Sequence, residues 1–74
     1  MKYSIVIQWS EGDQKYIASL PEFGSFAHTH GQTYEEALAN AQDCLAELVA
    51  AYQQSGMSLP EPQQFSPEQV LQPV

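Results

Sequence analysis

Two histidines two residues apart, His28 and His30, and one cysteine, Cys44, are the residues of this chain best suited to metal binding. On a strand, residues two apart share a face, so the two imidazoles offer a ligand pair, with Cys44 as a conceivable third donor. No acidic residue or second cysteine stands at a spacing that would complete the set. The plainer reading is two polar rings on the solvated side of an edge strand, with Phe26 on the same face, and no metal is expected. Cys44 has Asp43 before it and Glu47 three residues on. An activated thiol wants a cationic neighbour or a helix N-terminus, so Cys44 reads as a small buried hydrophobe.

The carboxylates are no better placed for catalysis. A nuclease of the ribonuclease H kind needs acidic side chains projecting from adjacent central strands to hold divalent metal. The first strand-like run has none between Tyr3 and Trp9, and the second has none between Tyr16 and Leu20. Ser-His-Asp constellations, phosphate-cradling glycine loops and CxxC pairs are absent from the sequence. Neither catalysis nor a cofactor is expected. The acids do matter collectively: 9 of them face 2 basic residues, for a net charge of −7. Binding to nucleic acid relies on Lys and Arg neutralising phosphates, and Lys2 and Lys15 cannot do that against this field. The same field favours a basic protein partner.

These residues must be positioned by a small set of elements. Residues 2–9 alternate, with Tyr3, Ile5, Ile7 and Trp9 on one side and Ser4, Val6 and Gln8 on the other, the period of a half-buried strand. A polar turn at Glu11-Gly12-Asp13-Gln14 leads into a second strand, Lys15 to Leu20, which Pro21 ends. Phe26 to His30 reads as a short third strand, broken at Gly31-Gln32. Thr33-Tyr34-Glu35-Glu36 is a capping box, and the helical pattern runs from Tyr34 to about Ser55, with Gly56 as the C-terminal stop. Tyr34, Leu38, Ala41, Leu45, Leu48, Val49 and Tyr52 form its apolar stripe, opposite Glu36, Asp43 and Glu47. Pro60, Pro62, Pro67 and Pro73 mark a Pro/Gln-rich segment, in which Ser66 to Leu71 reads either as a helical turn or as a short pairing strand. Most of the aromatic residues are expected in the core, with Phe23 and Phe26 the ones most exposed.

Seventy-four residues make one domain, and a chain this short has a thin stability margin. With one cysteine an internal disulfide is impossible, so self-association is the remaining support. A homo-oligomer, in particular a dimer through sheet edges or the Pro-rich tail, is expected. No run approaches the length of a membrane span and no secretory leader precedes the first strand. A cytoplasmic location is therefore expected.

The opening strand, the hairpin, Leu20-Pro21-Glu22-Phe23 and the run from Thr29 to Leu38 together resemble a HicB-like antitoxin domain. The most recognisable piece is Gly-x-Thr-x-x-Glu-Ala-Leu, Gly31 to Leu38, followed by the long helix and by Gly56-Met57-Ser58-Leu59-Pro60-Glu61-Pro62. The resemblance covers residues 1 to about 62 and implies a domain at 1–62 with a tail at 63–74. It implies an α+β fold: a three-stranded antiparallel sheet, one long amphipathic helix and a short C-terminal strand, a partial ribonuclease-H-like β-β-β-α-β arrangement without catalytic residues. It also implies a partner, a small basic HicA-type toxin that cleaves mRNA, neutralised by covering its active surface. Many members carry Gly-Cys in the third strand, where this chain has Phe26-Ala27. Full-length members add a DNA-binding domain, so autorepression by this chain alone is not expected. The alternative is a stand-alone self-associating adaptor with no toxin. Glu22, Phe23, Tyr34 and Glu35, beside the third strand and the helix start, are the candidate partner-binding residues.

Overall fold

Alternation on either side of the polar turn Glu11–Gln14 folds the first segment into a hairpin in the computed structural model, which describes residues 1–67. Strand β1 (Val6–Ser10) pairs antiparallel with β2 (Lys15–Ser19), setting Ile7 opposite Ala18 and Trp9 opposite Tyr16. Strand β2 pairs antiparallel with β3 (His28–Gly31), setting Ala18 opposite Thr29 and Tyr16 opposite Gly31. The sheet order is β1-β2-β3, and helix α1 (Tyr34–Gln54) packs on one face, chiefly against β3 and β2. This is the expected α+β architecture. The C-terminal strand or helical turn expected around Val70-Leu71 lies outside the described residues.

Strand alternation sends Ile7, Trp9, Tyr16, Ala18 and Thr29 toward α1, and Val6, Gln8, Ile17, His28 and His30 away from it. The buried core is small: Ala18 and Leu20 from the sheet side, Ala37, Ala41 and Leu45 from α1. Tyr3, Ile5, Ile7, Tyr16, Phe23, Ala27, Cys44 and Leu48 pack around it. The buried line along α1 is rotated from the stripe expected from hydrophobicity. Ala37 is fully buried, whereas Leu38 is 40% and Tyr34 57% exposed.

Gly31 explains the rotation. A Cβ built on it would lie 2.4 Å from the Ala37 nitrogen and 2.8 Å from both Ala37 Cα and the Glu36 carbonyl carbon. The start of α1 therefore rests main chain against main chain on the end of β3, which only glycine permits. The small Ala37 is turned toward the sheet, and the larger Tyr34 and Leu38 are rolled outward. Gly31 is thus the last residue of β3 and a packing contact, where the sequence suggested a strand breaker.

The first strand begins at Val6, later than the expected Lys2, and the cause lies in its neighbour. Continuing the register would put Ser4 opposite Pro21, but there β2 has already turned into a 3-10 turn, Pro21–Phe23. The Ser4 N–H instead donates to the Glu22 carboxylate, at 3.2 and 3.1 Å to its two oxygens. The third strand likewise starts at His28, and Phe26, expected within it, is 92% exposed.

Helix α1 is bounded as the sequence indicates. Thr33 Oγ1 accepts from the Glu36 N–H at 3.0 Å, and Glu36 reaches back to accept from the Gln32 N–H at 2.8 Å. At the other end Gly56 takes φ 71°. Its N–H reaches the Gln53 carbonyl while the Met57 N–H reaches that of Tyr52, closing a Schellman motif. Thr33→Ala should lower unfolding free energy by about 1 kcal/mol in a urea titration. A loss within error of zero would mean that the helix start is held by the Gly31 contact alone.

Candidate partner-binding surface

The four candidate residues fall into two groups at opposite ends of α1. Glu22 and Phe23 sit by the helix C-terminus. Phe23 is half-buried, its ring centroid 4.9 Å from that of Tyr3 and 5.5 Å from that of Tyr52, both in edge contacts. Tyr34 and Glu35 open the helix, and the eighteen positions from Tyr34 to Tyr52 correspond to about 27 Å of helix rise. One partner patch centred on all four side chains would have to span that length.

The Glu22 carboxylate is engaged within the chain. Besides the Ser4 N–H it accepts from the Ser4 hydroxyl at 2.9 Å and from the Gln63 N–H at 2.9 Å. Tyr3 donates its hydroxyl to the Pro60 carbonyl at 2.7 Å. Together these bonds join the first segment, the 3-10 turn and the chain beyond α1. Burial acts to raise the Glu22 pKa, but the bonds from Gln63, from its own backbone and from Ser4 prevail and lower it from 4.5. Glu22 is thus an ionised staple, a role that sequence reasoning did not anticipate because its partners lie far along the chain.

The other end has a different character. Tyr16 contacts two further aromatics, Trp9 at 5.0 Å in an edge arrangement and Tyr34 at 4.3 Å with planes tilted by 34°. Trp9 is 47% exposed, Tyr34 57% and Leu38, one turn along α1, 40%. The indole N–H of Trp9 donates to Glu11 at 2.7 Å, and Glu35 is exposed beside Tyr34. This apolar ridge with a carboxylate rim includes two of the four candidates. It also includes Trp9 and Tyr16, which the sequence placed with the core aromatics. A hint was available: Trp9 lies near the end of an edge strand, next to a polar turn.

His28 and His30 are exposed on the face of the sheet opposite α1, and Cys44 packs against the core on the other. The sheet therefore separates the histidine pair from the thiol. Among the described residues there is no group of three or more His, Cys, Asp or Glu placed to hold a metal ion. Nor is any helix among them long and apolar enough to cross a membrane. Seven of the eight described carboxylates are exposed, in turns and along the outer side of α1, and Glu22 is half-buried.

The family model described as HicB_like antitoxin of bacterial toxin-antitoxin system matches residues 2–72 of the chain. The chain belongs to the HicB-like antitoxin family. The resemblance seen in Gly31 to Leu38 and the elements around it thus extends over almost the whole sequence. No curated protein and no solved structure gives a match. Membership carries a toxin–antitoxin role, and with it a toxin partner in general terms. For this HicB-like chain the exposed acids and the aromatic ridge are the features that a protein partner would meet.

Proposed function

We propose that this chain neutralises a small, basic, mRNA-cleaving toxin of the HicA type by covering its active surface, without catalysis of its own. The observation that carries the proposal is the family match over residues 2–72 in a chain of net charge −7. A ribonuclease that grips RNA phosphates needs a cationic surface, and an acidic protein competes for it directly. Charge complementarity of this kind accelerates encounter and weakens with salt. Of the four candidate residues, Tyr34 and Glu35 meet the toxin, while Glu22 and Phe23 act through the staple that fixes the opposite end. The test is capture from the native host with this chain as bait, followed by an RNA-cleavage assay on any small basic protein recovered. Cleavage suppressed by this chain supports the reading, and cleavage unchanged by a molar excess defeats it.

A self-associating adaptor without a toxin is the second reading, and the outer edge of β1 is the surface through which it would associate. The Leu20 N–H bonds to the Ala27 carbonyl at 2.9 Å, so the main-chain groups of Tyr16 and Ala18 point to β3. By alternation those of Ile7 and Trp9 point away from the sheet. Among the described residues no strand pairs with that edge, and an open edge is a template for a second copy. Both readings include a homodimer through this edge. Sedimentation equilibrium at micromolar concentration should give a mass near twice 8.2 kDa, and a monomer mass would rule the dimer out.

A further inference from the structure

We propose that the ridge of Trp9, Tyr16 and Tyr34, rimmed by Glu11 and Glu35, is a docking site for an arginine side chain of a basic protein partner. The inference deepens the antitoxin reading and rests on it for the partner's identity.

Three aromatic rings in succession at the surface are unusual for a chain whose core is built mainly from alanine and leucine. Only Tyr16 is half-buried, and Trp9 and Tyr34 are about half exposed. The face of an aromatic ring carries the negative side of a π quadrupole, which attracts cations, most effectively at Trp. The rim adds formal charge of the same sign. Glu11 is held in place by the Trp9 indole N–H at 2.7 Å and retains free lone pairs. Among the described residues none donates a hydrogen bond to the Glu35 carboxylate, whereas Glu36 is occupied by the Gln32 N–H. Among the described residues no cationic side chain belongs to the site. Lys15 neighbours Tyr16 but alternates to the opposite face of the sheet, and Lys2 precedes β1 by four residues, whereas Trp9 is near its far end.

A planar cation that stacks on a ring while donating hydrogen bonds to a carboxylate fits all of these features, and that is a guanidinium. A lysine ammonium would gain the charge but not the stacking. Single-stranded RNA would gain the stacking but meet the carboxylates and the field of net charge −7.

The test uses the full chain, with decaarginine, decalysine and a uridine decamer as probes. Trp9 is the only tryptophan, so its emission reports on the ridge directly, and amide shifts locate binding elsewhere. Decaarginine should change Trp9 emission and move amides around Trp9, Tyr16 and Tyr34, and decalysine should bind several-fold more weakly. Tyr34→Ala and Glu35→Gln should each weaken decaarginine binding by about five-fold. Glu61→Gln, an exposed acid outside the ridge, should leave it within two-fold. Circular dichroism confirms that each variant folds, and Tyr34→Phe, which keeps the ring, should bind as the parent does.

Equal losses in the Glu61→Gln and Glu35→Gln variants, shifts centred away from the ridge, or preferential binding of the uridine decamer would each overturn the proposal. The two readings fail separately. If toxin-catalysed cleavage is blocked equally by the parent and by Tyr34→Ala at limiting concentration, the ridge is not the docking site and the antitoxin reading stands. If decaarginine binds at the ridge but the chain leaves toxin activity unchanged, the antitoxin reading fails and the site stands.

Discussion

Gly31→Ala should destabilise the protein by about 3 kcal/mol, at the upper end of what overpacking costs, and Gly31→Val should prevent folding. In a flexible, exposed setting the alanine would be expected to stabilise by about 0.4–1 kcal/mol through the unfolded chain. Here the added methyl would lie 2.4 Å from the Ala37 nitrogen and 2.8 Å from two main-chain carbons. Main-chain atoms of a helix cannot swing aside as the end of a side chain can. The first turns of α1 would have to lift off β3, loosening Ala37 and Ala41 from the core. A domain of this size has only about 4–11 kcal/mol of stability in total, so the loss is a large fraction. Urea unfolding monitored by circular dichroism measures it. Adding Ala37→Gly to Gly31→Ala should not rescue stability, because the obstructing atoms are main chain and remain. Recovery in the double variant would place the contact at the Ala37 methyl and show that main-chain contact with Gly31 does not set the roll of α1.

Glu22→Ala should cost about 2 kcal/mol at neutral pH, discounting charge-assisted hydrogen bonds of about 1.5–3 kcal/mol each for partial exposure and for water replacing the lost acceptor. Removing the carboxylate leaves the Ser4 and Gln63 N–H groups without their acceptor and unties the first segment from the chain beyond α1. The pH dependence follows from the direction of the shift. The carboxyl's folded pKa lies below its ordinary value of 4.5, so the folded state binds its proton less tightly than the unfolded state. Its contribution is therefore complete above about pH 4.5 and is lost as the pH falls through the lower folded value. Parent and Glu22→Gln should differ most near neutrality and converge in acid. A constant difference down to pH 2 would show that the bonds to Ser4 and Gln63 do not depend on ionisation.

Much of the architecture was legible in the sequence because it depends on local chemistry. The capping box from Thr33 to Glu36, the stop at Gly56 and the period-two runs on either side of Glu11–Gln14 act over a few residues, and the structure places α1 and the hairpin accordingly. What escaped sequence reading depends on long-range contact. Glu22 looks like a surface acid until Ser4 and Gln63, 18 and 41 residues away, are brought to it. Gly31 looks like a strand breaker until Ala37 is laid on it. The outward roll of Tyr34 and Leu38 follows from that contact, and a hydrophobicity stripe that scores leucine above alanine points the helix the wrong way by part of a turn. The two candidates that fall on the proposed ridge, Tyr34 and Glu35, were chosen from their place at the helix start, whereas placing Trp9 and Tyr16 beside them required the strand register.

The proposed role of this HicB-like chain is to silence a basic ribonuclease by occupying the surface that would hold RNA. The most direct measurement is a titration of the recovered toxin's RNA cleavage with this chain at low and at high salt. Cleavage falling to background near one equivalent, with more protein required as salt rises, is the predicted result. Cleavage that continues undiminished at low salt in the presence of a molar excess of folded chain would contradict it.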